Sequence, residues 1–159
     1  MGFHFLDISM LRDIDLFESL SDHALSEIIS LCTVEEHPSG EHIFEEGDPG
    51  DGMYLILKGE VRISKNIPGI GEEALAFLEE GAYFGEMSLF GEEATRSAMA
   101  IASSIVKVAK LGRPEFHDLL DRDKDAAVEI LFSIVNTLAD RLRASNDKVA
   151  FFAMSNMFE

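Results

Sequence analysis

Apolar residues recur at helical spacing at both ends of the chain and at strand spacing between them. Ile8, Leu11 and Ile14 predict a helix over 8–16. Leu25, Ile28, Ile29 and Cys32 fall on one face of a second helix over 21–32, with Ser21 as its N-cap and Asp22 in its first turn. Cys32 is expected as a buried thiol in that helix, and His23 on its polar side. From Thr33 the period drops from 3.6 to 2. Pro38-Ser39-Gly40, Gly47-Asp48-Pro49-Gly50, Gly59, Pro68-Gly69 and Gly81 divide the chain into short segments over 34–37, 42–45, 53–57, 61–66, 73–78, 97–102 and 105–110. Met53-Tyr54-Leu55-Ile56-Leu57 is apolar throughout and predicts a central strand; Gly59 predicts a tight turn at positive φ. Strands this short and this regularly punctuated predict a sandwich or jelly-roll barrel rather than a βαβ sheet. The two helices before them are expected to cover one end of the barrel.

After Gly112 the helical period returns. Pro114 suits a first turn, and Phe116, Leu119 and Leu120 supply an apolar face. Beyond the polar break Asp121-Arg122-Asp123-Lys124, a helix is predicted from Asp125 to about Met154, on the order of 45 Å long. Val128, Leu131, Val135, Leu138, Leu142, Ser145, Val149 and Phe152 are spaced alternately by three and four. That 3.5-residue repeat marks a seam against another helix, and it predicts a homodimer through residues 128–152. Ile130, Phe132 and Ile134 widen the apolar surface enough to pack back on the barrel as well. An ordinary amphipathic helix lying on its own core is the alternative.

Charge narrows the choice of partners. Thirteen basic residues stand against thirty acidic ones, a net charge of −17 in 159 residues. Such a surface repels DNA and anionic membranes, which need clustered Lys and Arg. An anionic ligand would need a local, preorganised site. The chain is expected to be a single cytoplasmic domain. No apolar run reaches the roughly 18 residues that span a bilayer, the first ten residues lack the pattern of a signal peptide, and one cysteine forms no internal disulfide. His4, His23, His37, His42 and His117 make no metal-ligand spacing, so no metal is expected. No local Ser–His–Asp arrangement suggests catalysis, and Gly-Asp-Pro-Gly-Asp-Gly lacks the ligands of a calcium loop.

One stretch, over 83–102, carries candidate chemistry. Tyr83, Phe84 and Gly85 precede a single carboxylate, Glu86. A short apolar turn and an acidic loop follow, and Arg96 and Ser97 then run into a small-residue alternation. A guanidinium fork matches two phosphate oxygens, a helical turn offers free N–H groups, and a carboxylate accepts from a sugar hydroxyl. Together they suggest a ribose phosphate. Two local alternatives remain open: a surface ion pair of Arg96 with Glu92 or Glu93, and Glu86 as an ordinary helix N-terminal carboxylate.

Phe84-Gly85-Glu86-Met87-Ser88-Leu89-Phe90 followed by Arg96-Ser97-Ala98 resembles the phosphate-binding cassette of the cyclic nucleotide-binding domains, with the Glu-to-Arg spacing of the bacterial catabolite activators. Leu16-Phe17-Glu18-Ser19-Leu20-Ser21 resembles that family's entry helix. Gly47-Asp48 and Asp51 through Val61 resemble its barrel signature, so the likeness covers about residues 15–150. It implies a mainly β fold with flanking helices: a double-stranded β-helix (jelly-roll) barrel over 33–111 with its cassette over 83–99, N-terminal helices over 1–32 and C-terminal helices over 113–155. It implies a non-catalytic sensor of a cyclic nucleotide, coupled to the dimer helix. Arg96, Ser97, Ala98, Met87 and the N–H of Ser88 would then cradle the phosphate. Glu86 would take the ribose 2′-OH, Gly85 would permit close approach, and Leu89 and Val61 would wall the pocket. Ser145 and Asn146 match the family's base-contacting pair, one acting within its subunit and one across the dimer. Ser97 favours cAMP over cGMP, whose sites commonly carry Thr there. Thr95, Met99 and the acidic pair Glu92-Glu93 depart from the family pattern. The chain stops where relatives begin a helix-turn-helix, so no DNA output is expected, and the effector would be another protein. The rival reading is the same fold with its ligand lost, acting as a dimerisation or protein-interaction module.

Overall fold

The strand-period segments close into two four-stranded antiparallel sheets. The computed structural model describes residues 5–92 and 94–157; His4 and Glu93 lie outside them. One sheet has the order β1 (Cys32–His37), β8 (Val106–Gly112), β3 (Gly52–Lys58), β6 (Tyr83–Phe84). The other runs β2 (His42–Phe44), β7 (Met99–Ala102), β4 (Val61–Ile67), β5 (Gly71–Leu78). β3 pairs on both sides and is buried over six consecutive residues, as its unbroken apolar sequence predicts. Tyr54 and Ile56 join Val61, Phe84, Ala100 and Val108 in a core between the sheets. Met53, Leu55 and Leu57 belong to a second core shared with the helices.

That second core decides where the helices go. The expected helix over 8–16 divides into α1 (Ile8–Arg12) and a 3₁₀ turn, Asp15–Phe17. α2 (Asp22–Leu31) is capped by Ser21 Oγ, which accepts from the Ala24 N–H at 3.2 Å. Leu11, Phe17, Leu25 and Ile28 pack over the outer face of the first sheet, where Met53 and Leu55 need cover. The helices therefore cover a sheet face rather than a barrel end. Cys32 leaves α2 and opens β1, half-buried. Burial, with the nearby Glu115 charge, pushes its thiol up to about 12. His23 is exposed, and Gly59 turns at φ +90°.

α3 (Arg113–Arg122) ends at Asp123, whose carboxylate caps α4 (Lys124–Ser155) by accepting from the Ala126 N–H at 3.0 Å. At 32 residues, α4 is about 48 Å long. Its first half rests on the core: Ile130 and Ile134 are fully buried, and Leu131 and Leu138 are half-buried beside them. Phe132 does not join them; it points to solvent with Val128, Val135, Leu142, Val149 and Phe152. From 140 to 157 every residue is exposed. Among the described residues no helix is long and apolar enough to cross a membrane.

Candidate functional site

Arg96 is placed by backbone before its side chain is used. Its N–H donates to the Asp48 carbonyl at 2.8 Å, and its own carbonyl accepts from the Gly47 N–H at 2.8 Å. The acidic Gly-Asp-Pro-Gly-Asp-Gly run is thus a clamp on the residues around Arg96. The expected strand over 97–102 begins only at Met99, which leaves Arg96 and Ser97 outside the ladder.

The guanidinium lies inside the sandwich mouth, its side chain 3% exposed, over the Phe44 ring at 4.2 Å. Phe44, Tyr54 and Phe84 form an aromatic floor, with Tyr54 and Phe84 stacked at 5.1 Å. Nη1 donates to Ser88 Oγ at 2.9 Å and to the Gly85 carbonyl at 3.2 Å, and Nη2 donates to Asp51 Oδ1 at 3.2 Å. Nε is buried without a hydrogen-bond partner. Burial pulls the guanidinium below its ordinary pKa, and the charges of Tyr54 and Asp51 oppose that fall. Burial acts to raise the Asp51 carboxyl. Lys110, through a hydrogen bond and its charge, and Arg96, through its charge, outweigh it and hold the carboxyl below the usual range.

Gly85 makes this arrangement possible. It turns at φ +78°, and a Cβ there would sit 2.7 Å from Arg96 Nη1. The 3₁₀ turn Glu86–Leu89 follows, with Ser88 buried and its N–H donating to the Gly85 carbonyl at 3.2 Å. The Glu86 carboxylate, 3% exposed, accepts from Arg141 Nη1 of α4 at 2.6 Å.

These groups border a cavity of about 360 Å³. Gly85, Glu86, Met87, Ser88, Arg96, Ser97 and Ala98, all singled out in the sequence, line it. Ser145 and Asn146 do not; they lie exposed on α4, beginning one turn beyond Arg141. Leu89 and Val61 are not in the wall either. Leu89 turns into the helix-side core, and Val61 lies within the inter-sheet core, two residues before Ile63, which does reach the cavity. Leu78 and Leu75 complete the apolar side. Between β4 and β5 the register passes from Ile63↔Ala76 to Ser64↔Ala74, which leaves Leu75 as the unpaired residue of a bulge that brings it into the wall.

The pairing of Arg96 with Glu92 gives way to a distant partner, and Glu86, although it does lie in the first turn of the 3₁₀ helix, is paired across the fold as well. Arg96 pairs with Asp51, 45 positions away, while Glu92 is exposed. Glu86 pairs with Arg141, 55 positions away. Neither partner was singled out from the sequence. Arg141 carries a recognisable signal: it falls seven residues after the buried Ile134 and three after Leu138, on the inward stripe of α4. Asp51 carries none, because in one dimension it is another acid in a turn. Among the described residues, no group of three or more His, Cys, Asp or Glu is placed to hold a metal ion.

Comparison with known proteins identifies the family of the chain. The cyclic nucleotide-binding domain pattern matches residues 34–123. The chain is 37% identical over 117 residues to a cAMP-dependent protein kinase regulatory subunit of Aspergillus niger, covering 74% of this chain and 28% of that protein. It is 32% identical over 146 residues to Glutaminase 1 of Bradyrhizobium diazoefficiens, covering 91% of this chain and 23% of that one. It superimposes on the crystal structure of the Thermus thermophilus catabolite activator protein with a TM-score of 0.77 at 31% identity, covering 87% of this chain and 62% of that one. The chain thus spans about a quarter of the first two proteins and under two thirds of the third, so what it shares with them is one module. With its two sheets, its cassette and its buried arginine, the chain belongs to the cyclic nucleotide-binding domain family.

Proposed function

We propose that the cavity binds cAMP, in preference to cGMP, and that the chain works as a non-catalytic cytoplasmic sensor. One observation carries the reading: a buried arginine lines the cavity with its Nε left without a partner, ten residues from a buried carboxylate on the same wall. A buried N–H without a partner is costly, and an anionic acceptor removes that cost. In this reading Arg96 pairs with the cyclic phosphate, and Ser97, Ala98 and the backbone of Met87 close around it; the Ser88 N–H, expected in the cradle, is held by the Gly85 carbonyl, and Ser88 acts through its Oγ on Arg96 instead. Glu86 takes the ribose 2′-OH, sharing its carboxylate with Arg141, while Gly85 lets the sugar approach the backbone. Ile63, Leu75 and Leu78 hold the apolar faces of sugar and base. Ser97, rather than Thr, supports cAMP over cGMP, as does the likeness to cAMP-dependent regulatory subunits.

Ser145 and Asn146 join the site from the exposed half of α4, with the base as their target. Ser145 lies one helical turn, about 6 Å, beyond Arg141. The exposed row Val128, Val135, Leu142, Val149 and Phe152 supports a second copy of the chain as the cover for α4, because an apolar stripe this long is unfavourable in water. The domain unit runs over 1–159. Its output is protein contact rather than DNA, consistent with the charge of −17.

Calorimetric titration with cAMP, cGMP and adenosine tests the assignment. Saturable binding is expected to be tightest for cAMP, weaker for cGMP and weakest for adenosine, which lacks the phosphate. Absence of binding by either cyclic nucleotide refutes the reading in favour of an interaction module. Equal affinity for cAMP and adenosine refutes the role of Arg96.

A further inference from the structure

Arg96 does not hold its carboxylate alone. Asp51 sits between two cations: Oδ1 accepts from Arg96 Nη2 at 3.2 Å, and Oδ2 accepts from Lys110 Nζ at 2.7 Å. Lys110 stands on β8 opposite Tyr54 of β3, with its ammonium 5.5 Å from the Tyr54 ring centre. It borders a second, shallower hollow of about 320 Å³ shared with Glu35, Asp51 and Glu115. The backbone of Asp51 is tied down as well, its carbonyl accepting from the Arg113 N–H at 2.9 Å. The carboxylate is therefore a fixed bridge between the cavity wall and a separate, solvent-facing hollow.

That bridge has a consequence for the donors of Arg96. An arginine beside a lone carboxylate favours the bidentate fork, in which two N–H groups engage both oxygens. Here the second oxygen is taken, Arg96 gives Asp51 only Nη2, and Nε stays unpaired. We propose that Lys110 is a positioning residue for the anion site: by holding one oxygen of Asp51, it keeps Arg96 from closing into a two-donor pair with that carboxylate and leaves Nε without a carboxylate partner, for a phosphate. Lys110 also offsets a negative charge that would otherwise face the incoming anion, and both effects act in the same direction. This rests on the reading of the cavity as a cyclic-nucleotide site. It adds a residue of β8 that lies outside the cavity wall.

The test uses Lys110→Met and Lys110→Gln, each alone and on an Asp51→Asn background, with Lys110→Arg as the conservative variant. In cAMP titrations, removing Lys110 is expected to raise Kd about three- to tenfold, a coupling within the range seen for contacting residues. On Asp51→Asn the same change is expected to cost about twofold or less, and Lys110→Arg is expected to restore parental affinity. Parental affinity in Lys110→Met and Lys110→Gln, both folded by thermal melt, overturns the proposal. So does an equal loss with and without Asp51, which marks Lys110 as a distant charge only. A ligand-free arm reads the same bridge by carboxyl NMR titration of Asp51, which is faced by Arg96, Lys110, Glu35 and Glu115. Its midpoint is expected to rise when Lys110 is removed, and an unchanged midpoint overturns the sharing. A parent that binds no cAMP refutes the nucleotide reading and the affinity role together. The NMR arm still reports on the shared carboxylate, so the two failures are distinguishable.

Discussion

Gly85→Ala tests the site without touching a charge. At φ +78° an alanine pays the left-handed backbone cost, about 1–2 kcal/mol. Its Cβ would lie 2.7 Å from Arg96 Nη1, inside ordinary contact at 3.4 Å or more, with the Gly52 carbonyl oxygen at 3.3 Å as well. The guanidinium must therefore move by about 0.7 Å. A shift of that size can stretch the 2.9 Å bond from Nη1 to Ser88 Oγ past hydrogen-bonding distance. Losing one hydrogen bond to a charged group costs roughly 1.5–3 kcal/mol, or about 10- to 150-fold in Kd where the ligand depends on that orientation. Gly69→Ala is the control. It has φ +80° and nothing within 4 Å of its Cβ, so it carries the backbone cost with no contact to Arg96. Thermal melts and cAMP calorimetry separate the two. Both variants are expected to lose a few degrees in Tm, at about 2–4 °C per kcal/mol for a chain of this size, and only Gly85→Ala loses affinity. Equal affinity in Gly85→Ala and Gly69→Ala refutes the claim that Gly85 is required by the guanidinium beneath it.

Three further outcomes follow from the same geometry. Arg96→Gln removes the guanidinium proposed to pair with the cyclic phosphate and is expected to raise Kd for cAMP by about two to four decades in calorimetry; Arg96→Lys restores the charge without the fork and recovers only part, and a variant within threefold of the parent contradicts the pairing. Leu142→Glu, at an exposed seam position clear of the buried contacts of α4, is expected to give a monomer in sedimentation velocity because unpaired charges are costly in an apolar seam. With reciprocal coupling of about 1–3 kcal/mol, that monomer binds cAMP roughly five- to 150-fold more weakly, and a monomer with parental affinity shows the seam and the site to be independent. Cys32, its thiol raised from 9.0 to about 12, holds roughly a thousandfold less thiolate at about pH 8 than in the unfolded chain. Iodoacetamide labelling should therefore be slow in the native protein and fast in denaturant. The thiol's stabilising contribution is present below pH 9.0 and is lost as pH climbs towards about 12, and rapid native labelling refutes its burial.

The sequence by itself determined the architecture and the contents of the cassette. Hydrophobic period is a local property, so the change from 3.6 to 2 at Thr33 and back after Gly112 places the helices and strands within a few residues. The unbroken run from Met53 marks β3 as central for the same reason. The cassette residues from Gly85 to Ser88 and from Arg96 to Ala98 form two short runs, so their clustering was also readable along the chain. Tertiary structure alone decided what the charges do. Asp51 and Lys110 come from segments 45 and 14 positions from Arg96, and Arg141 lies 55 positions from Glu86. No local spacing encodes such pairings, because they arise when two sheets and α4 converge. The two-residue strand β6 is likewise a product of pairing with β3 rather than of any period of its own. Cys32 shows the same limit from the other side. Its apolar spacing continues the face of α2, but pairing opposite Leu111 draws it into β1, because the ladder satisfies a backbone that the end of a helix leaves open.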